Sequence, residues 1–137
     1  MRRGVTIALL SALSAAAAGD LPPRSLIQEN VRKADAIVAG TIAGTDMPRG
    51  GFAATTLKIV KSYRGPLHPG DTIVYRSFKE EAQVPKAFLE HGVMVFLVNK
   101  PGADGKPAWG TAIDFSEFEN TPQLEKLVLT LLRKSKK

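Results

Sequence analysis

The two histidines are the first side chains in this sequence that could do chemistry. His68 lies between Pro66 and Pro69, in a segment rich in turn-forming residues, and His91 directly precedes Gly92. A metal site needs several ligands at suitable spacing, whereas these histidines lie 23 residues apart in a chain without cysteine. We therefore interpret both histidines as surface residues and predict no metal site.

Three acidic residues lie close together near the carboxyl terminus: Asp114, Glu117 and Glu119. Hard oxygen ligands of this kind bind calcium. Their spacing lacks the glycine turn and the full ligand count of a calcium loop. We therefore predict solvent-exposed acids, which lie favourably near the amino end of a following helix.

A serine nucleophile is the next chemistry to consider. Four serines are candidates, and none lies in a Gly-x-Ser-x-Gly elbow or a Ser-x-x-Lys pair: Ser25, Ser62, Ser77 and Ser116. The sequence also lacks a glycine-rich loop of the kind that binds phosphate. It therefore predicts a protein without enzymatic activity or cofactor, and an unrecognised hydrolase is only the third hypothesis.

The elements that must position such residues follow an amino-terminal secretion signal. A pair of arginines precedes an apolar run over residues 5–15, and small residues follow at 15–18. This order is typical of a cleaved signal peptide, and the run is shorter than the roughly 20 residues that cross a bilayer. We predict a signal peptide over residues 1–18, cleavage before Ala18 or Gly19, and a periplasmic or secreted protein with no membrane span after cleavage.

The rest of the chain, residues 19–137, predicts a single domain with its own core. The full chain carries a net charge of +6. Two positive charges leave with the signal and four lie in the tail over residues 133–137, so the folded body is nearly neutral. The absence of cysteine excludes disulfides, thiolate metal sites and the lipid anchor of a bacterial lipoprotein.

Hydrophobic periodicity predicts two helices and five strands. Ser25 and Gln28 have the spacing of a capping box, which predicts a short helix over residues 25–33. Thr121 as cap and Pro122 as first residue begin an amphipathic carboxyl-terminal helix. The strands are predicted over residues 36–42, 55–63, 72–76, 93–98 and 107–113.

Two of these strands predict how the sheet packs. Thr55, Leu57, Ile59 and Tyr63 are expected on one buried face of the second strand. The strand over residues 93–98 is apolar at every position, so it is expected to be central and covered on both faces.

The order of elements predicts a mainly β fold. Five strands with a short amino-terminal helix and an amphipathic carboxyl-terminal helix indicate a small barrel of the OB (oligonucleotide/oligosaccharide-binding) type or a compact sandwich. A polar connection over residues 78–90 separates the third and fourth strands, and a helical turn is expected within it at 85–89. OB barrels commonly carry a helix or loop at this point, so we predict a five-stranded OB-like barrel.

Three segments of the chain together form a pattern that is found in a known family. They are residues 34–42, 61–73 and 92–97. The middle segment is the most specific, because a tyrosine, a basic residue and a glycine at 63–65 end one strand, and Gly70 and Asp71 precede the next. The pattern resembles exported bacterial proteins of the netrin and tissue-inhibitor-of-metalloproteinase-like class over most of residues 25–100. The resemblance implies an OB fold and an exported setting.

The inhibitors of that class bind the catalytic zinc of their target through an amino-terminal cysteine. This chain has no cysteine, and its predicted mature start lies near Gly19. The resemblance therefore does not extend to zinc-chelating inhibition, and it implies little about chemistry.

Aromatic and basic residues of the predicted strands provide a candidate ligand face. OB folds bind single-stranded nucleic acid by stacking bases on aromatic rings beside basic residues. The candidate ligand face consists of four residues: Tyr63, Arg64, Tyr75 and Trp109. Arg76 and Phe78 belong to the same cluster in the sequence. The alternative role of these aromatic side chains is packing in the core and at its rim.

The leading functional hypothesis is an exported, non-enzymatic binding module whose partner is a protein or a cell-envelope component. The alternative is an OB domain that binds a polyanion or single-stranded nucleic acid. Export removes most cellular nucleic acid, and a nearly neutral body lacks the basic groove that binding to a phosphate backbone requires, so a nucleic-acid partner is not favoured. The sequence predicts no oligomeric state.

Overall fold

The computed structural model describes residues 21–47, 52–78 and 84–135. The predicted signal peptide, residues 1–18, lies outside these residues. The elements follow in the order α1 (Arg24–Lys33), β1 (Ala36–Asp46), β2 (Phe52–Arg64), β3 (Thr72–Phe78), α2 (Lys86–His91), β4 (Val93–Asn99), β5 (Trp109–Thr111), β6 (Glu117–Glu119) and α3 (Pro122–Ser135). No helix within the three described ranges is long and apolar enough to cross a membrane.

Five strands form a closed barrel. β1 pairs with β2, β2 with β3, β3 with β5 and β5 with β4, and β4 returns to pair with β1. Only the β3–β5 pair among these is parallel. The prediction of a mainly β, five-stranded OB-like barrel with flanking helices is therefore confirmed, and the sandwich alternative is wrong.

A sixth strand, β6, was not predicted. β5 pairs with residues 97–99 of β4 and β6 pairs with residues 93–95, so the two short strands follow each other along one edge of β4. Between them, the carbonyl oxygen of Ser116 accepts a hydrogen bond from the backbone N–H of Phe96 (3.0 Å). The fifth strand, predicted over residues 107–113, is present as β5 but covers only residues 109–111, and β6 lies beyond the predicted bounds.

The helices begin at a proline and at a threonine cap. The carbonyl oxygen of Pro23 accepts the first hydrogen bonds of α1, so this helix begins at Arg24 without a side-chain cap and Ser25 lies inside its first turn. The predicted capping box is therefore wrong. In α3, Thr121 Oγ1 accepts a hydrogen bond from the backbone N–H of Leu124 (3.1 Å), which confirms the predicted cap. The helical turn expected at residues 85–89 is part of α2.

The barrel has two separate apolar clusters, and β4 contributes to both. Alternate residues Val93, Val95 and Leu97 face the barrel interior with Leu57, Ile59 and Tyr75. Met94 and Phe96 point outward, where α1 and α3 cover them. The covering residues from the two helices are Ile27, Val31, Leu124, Val128 and Leu131. The expectation that this strand is covered on both faces is confirmed.

Irregular pairing between β1 and β2 changes which face the end of β2 presents. Ala39 pairs with Lys61 and Gly40 with Ile59, which leaves Val60 as an extra residue. A bulge of this kind reverses the alternation of side chains beyond it. Tyr63 consequently packs against the cluster under the helices, whereas Ile59 faces the barrel interior. The expectation that these two side chains share one face is wrong.

Gly40 allows β1 to approach its neighbours closely. A Cβ atom at this position would lie 2.3 Å from the carbonyl oxygen of Lys58, far closer than side chains tolerate. Gly40 pairs with β2 and with β4 at the same time. Its missing side chain therefore permits the strand curvature that closes the barrel.

Candidate functional site

Tyr63 of the candidate ligand face holds α3 against the barrel. Its hydroxyl group donates a hydrogen bond to Glu125 Oε2 (2.6 Å), and Lys61 Nζ donates to the same oxygen (2.6 Å). Burial, followed by the hydrogen bond to Glu125, raises the pKa of Tyr63. The hydrogen bonds from Lys61 and then Tyr63 lower the pKa of Glu125. Tyr63 therefore connects β2 to α3 through its hydroxyl group.

Arg64 holds α1 in the same way. Its Nη1 atom donates hydrogen bonds to the carbonyl oxygens of Val31 (2.5 Å) and Ala34 (3.1 Å), at the end of that helix. The last carbonyl groups of a helix have no partner within the helix, and a guanidinium group satisfies them with a favourable charge. Arg64 is therefore a carboxyl-terminal cap of α1.

Tyr75 lies inside the barrel and is fully buried. Its hydroxyl group donates a hydrogen bond to Glu117 Oε2 (2.5 Å), which links β3 to β6. Burial, and after it the charge of Glu117, raises the pKa of Tyr75. A ring in this position cannot stack on a ligand at the surface.

Trp109 is half-buried in β5, where it pairs with Tyr75 and packs against the interior cluster. It also borders a surface cleft. The four residues of the candidate ligand face therefore lie in three environments: Tyr63 and Arg64 under the helices, Tyr75 in the interior and Trp109 at the cleft. They do not form one surface.

The two histidines lie apart from each other. His91 Nδ1 lies 2.5 Å from Glu119 Oε2 and connects α2 to β6 at the surface. His68 belongs to a turn in which its backbone N–H donates to Asp71 Oδ2 (2.8 Å). Within the described residues, no group of three or more histidine, cysteine or acidic side chains could hold a metal ion.

Two of the three acidic residues near the carboxyl terminus lie in β6, which pairs with β4 of the barrel, rather than in a solvated approach to α3. Glu117 and Glu119 lie in β6 and bind Tyr75 and His91, respectively. Only Asp114 retains the exposed position that the sequence predicted. This prediction was wrong because the short strand was not recognised.

Ser116, considered above as a nucleophile, belongs to a buried structural network. Its Oγ donates to Asn30 Oδ1 (2.6 Å) and accepts from the backbone N–H of Ile113 (2.8 Å). Asn30 Nδ2 donates to the carbonyl oxygens of Leu26 (3.0 Å) and Phe115 (2.8 Å). Sequence reasoning did not single out Asn30, although an asparagine on the apolar face of an amphipathic helix is a signal for such a network.

A surface cleft of about 920 Å³ lies over β3 and β5. Phe52, Val74 and Phe78 line it with exposed apolar side chains. The rings of Phe52 and Phe78, which are partners across β2 and β3, lie 5.0 Å apart between their centroids. Sequence reasoning missed Phe52, because only the strand register brings it beside Phe78.

One wall of the cleft is the loop over residues 100–108. Its base is closed by two hydrogen bonds, from Lys100 N–H to the carbonyl oxygen of Ala108 (2.9 Å) and from Ala108 N–H to Asn99 Oδ1 (3.0 Å). Lys100 and Lys106 bring two positive charges to the cleft from this loop. The closed base holds this wall beside β3.

Arg76 lies on the floor of the cleft, between Val74 and Phe78 along β3. Its neighbours across the strands are Ala54 on β2 and Gly110 on β5, and neither has a side chain that reaches the guanidinium group. Among the described residues, the side chains of Arg76, Lys100 and Lys106 form no hydrogen bond or ion pair. The cleft therefore combines exposed apolar surface with available positive charge.

Neither the known protein families nor the curated proteins provide a match to this chain. Exposed rings, a strand of alternating apolar and cationic side chains and a loop wall are suited to binding. The catalytic pattern of a nucleophile beside a base is not found among the described residues that line it.

Proposed function

We propose that this protein is an exported, non-enzymatic binding module and that the cleft over β3 and β5 is its binding surface. The partner is a protein or a cell-envelope component. The observation that carries the proposal is the exposure of Phe52, Val74 and Phe78 together in one cleft.

A partner that covers exposed apolar side chains removes them from water, and this burial favours association. Contiguous exposed apolar surface bordered by polar groups is typical of interaction sites. Aromatic residues and arginine are also enriched at the centres of interfaces. The cleft provides both, with two phenylalanine rings beside Arg76.

Photo-cross-linking in the native host tests this function. Phe78, which is 68% exposed, is replaced by p-benzoyl-phenylalanine, which retains an aromatic ring at the cleft. The control carries the same amino acid in place of Leu89, a residue of α2 that is 58% exposed and does not line the cleft. We expect a defined cross-linked species from position 78 and none from position 89.

Mass spectrometry then identifies the cross-linked partner. Equal cross-linking from both positions would indicate non-specific contact and would contradict the proposal. No cross-link from position 78, with the folded protein present at its normal level, would contradict it as well.

Export is part of the proposal. It is supported by the charge, apolar run and small residues at the start of the chain, and by the resemblance of the sequence to exported netrin and metalloproteinase-inhibitor-like proteins. Amino-terminal sequencing of the protein from its native host should find a first residue at Ala18 or Gly19. A product that begins at Met1 in the cytoplasm would overturn this part.

A polyanion is the second candidate ligand, because Arg76, Lys100 and Lys106 border the same cleft as the exposed rings. Stacking on aromatic residues beside basic groups is how OB folds bind single strands. Binding of this kind weakens steeply with salt. Titration with heparin or single-stranded DNA at about 50 mM and about 200 mM salt measures that dependence. Weak binding with little salt dependence removes this candidate.

A further inference from the structure

We infer that the cleft binds an extended peptide segment of a partner protein that presents an acidic side chain between two apolar side chains on one face. This inference rests on the proposed function and identifies the chemistry of the partner. Its basis is the row of side chains along β3: Val74, Arg76 and Phe78.

The spacing of this row matches an extended peptide. Tyr75 and Ser77 point into the barrel and are buried, so Val74, Arg76 and Phe78 share the outer face. Alternate residues of a strand lie about 6.6 Å apart, since each residue advances about 3.3 Å. An extended peptide has the same repeat, and its alternate side chains can meet an apolar, a cationic and a second apolar group in turn.

The central position of the row favours a carboxylate. Arg76 is exposed, and its neighbours on the adjacent strands, Ala54 and Gly110, have little or no side chain. A planar guanidinium group binds a carboxylate through two parallel hydrogen bonds, and a partly covered cleft strengthens such a bond relative to open water. A glutamate or aspartate of the partner would provide what the barrel does not.

The other charges that line the cleft balance one another. Lys100 and Lys106 add positive charge at the loop wall, whereas Asp104 and Asp114 add negative charge. Asp104 Oδ1 already accepts a hydrogen bond from the backbone N–H of Lys106 (3.0 Å). These four charges cancel, so the net positive charge of the lining equals that of Arg76 alone, which suits a peptide with a single acid.

A polyanion fits this arrangement less well than a peptide. A nucleic-acid or polysaccharide backbone carries charge at every repeat, and its binding depends on several cations in a row. Along β3 the single cation, Arg76, has apolar neighbours on both sides at Val74 and Phe78. The alternation of apolar and charged groups is a property of peptides.

Selection from a displayed peptide library tests the inference. Seven-residue peptides have threonine at the odd positions and random residues at the second, fourth and sixth positions, which share one face when extended. On the wild-type protein we expect selected peptides with aspartate or glutamate at the fourth position and apolar residues at the other two. A synthetic selected peptide should bind Arg76→Glu at least about tenfold more weakly, by fluorescence anisotropy, which is about 1.4 kcal/mol.

Two variants distinguish a charge contact from a general effect. Arg76→Glu, selected against the same library, should prefer lysine or arginine at the fourth position. Gly110→Asp keeps Arg76 but places a carboxylate beside it, and a Cβ atom there makes only an ordinary 3.6 Å contact with the Arg76 carbonyl oxygen. This variant should lose the acidic preference while it keeps the apolar one.

Three outcomes would overturn the inference: no enrichment of any peptide, enrichment without an acid at the fourth position, or the same preference on Arg76→Glu as on the wild-type protein. Failure of the proposed function gives a different result, namely no cross-link from position 78 in the host. A cross-linked partner without such an acidic segment would leave the binding function in place and remove only the peptide chemistry.

Discussion

Two outer faces of the same barrel differ in whether helices cover them. On the face formed by β1, β4 and the end of β2, α1 and α3 cover the apolar residues. On the face formed by β3, β5 and the start of β2, apolar side chains such as Phe52 and Phe78 remain exposed. The first face holds the domain together, and the second is the surface that we propose for a partner.

Two arginines, one from each face, show the same difference between the faces. Arg64 and Arg76 both lie on strands and both belong to the cluster of basic and aromatic residues recognised in the sequence. Arg64 donates to two carbonyl oxygens of α1, whereas Arg76 lies between Ala54 and Gly110 without a partner among the described residues. Two arginines of similar sequence context can therefore have different roles. An arginine whose hydrogen bonds are made within the fold is structural, whereas an arginine without partners can bind a ligand.

The largest difference in stability between the two faces is expected for a phenylalanine from each. Phe96 is fully buried beneath the helices and packs edge-to-face on Phe118, so Phe96→Ala should lower the free energy of unfolding by about 3–5 kcal/mol. Phe78→Ala removes an exposed ring and should cost less than about 1 kcal/mol. Urea unfolding measures both values, and similar losses would show that the cleft is also part of the core.

A second test compares two buried polar side chains, one with hydrogen-bond partners and one without. Asn30→Ala breaks three hydrogen bonds and leaves Ser116 and the Phe115 carbonyl group with lost partners, so we expect a loss of about 2–3 kcal/mol. Ser77 Oγ, in β3 beside the cleft, is buried without a hydrogen-bond partner. Ser77→Ala should therefore change stability by less than about 0.5 kcal/mol or increase it. A large loss of stability in Ser77→Ala would show that Ser77 Oγ does form a hydrogen bond.

The two arginines provide a third, smaller test. Arg64→Met keeps much of the side-chain length but removes the cap of α1, and we expect a loss of about 1–2 kcal/mol. Arg76→Met should stay within about 0.5 kcal/mol of the wild-type value, because no bond within the described residues is broken. Thermal unfolding of the two variants side by side gives the comparison. Equal losses would mean that Arg76 has a structural role.

The smallest expected effect is a pH dependence on the covered face. Hydrogen bonds from Lys61 and Tyr63 lower the pKa of Glu125 in the folded state. A carboxyl group with a lowered pKa stabilises the fold above its unfolded pKa of about 4.3, and this contribution is lost as the pH falls through the folded value. Glu125→Gln should therefore destabilise the protein at pH 7 by less than about 1 kcal/mol, and by less at pH 3.

Urea midpoints at the two pH values measure this difference. Glu90→Gln is the matched control, since Glu90 is an exposed acid of α2 with no hydrogen bond or ion pair in the described part of the chain. A difference between wild type and Glu125→Gln that grows at low pH would have the wrong sign for this contact.

The barrel was predictable because its signals are local. The continuous apolar run of β4 required cover on both faces, and both clusters use it. Thr121 and Pro122 indicated the start of α3 for the same reason, since a cap and a first-turn proline act within a few residues. The start of α1 was predicted one residue late, because Ser25 has the spacing of a capping box but lies inside the first turn.

The candidate ligand face was less predictable because it depends on which residues meet across strands. The bulge at Val60 places Tyr63 under the helices, and no local pattern announces it. Phe52 joins Phe78 only through the register of β2 and β3. The additional strand β6 depends likewise on its pairing with residues 93–95 of β4.

Composition and periodicity by themselves determined a mainly β domain with a helix near each end, since burial of apolar residues follows the repeat of each element. They also determined what chemistry this chain lacks, because a cysteine-free sequence has no thiolate to offer. Only the tertiary structure decided which aromatic and basic residues have partners. Arg64 and Arg76 differ in their neighbours across the barrel, and such neighbours are set by pairing between distant segments rather than by sequence spacing.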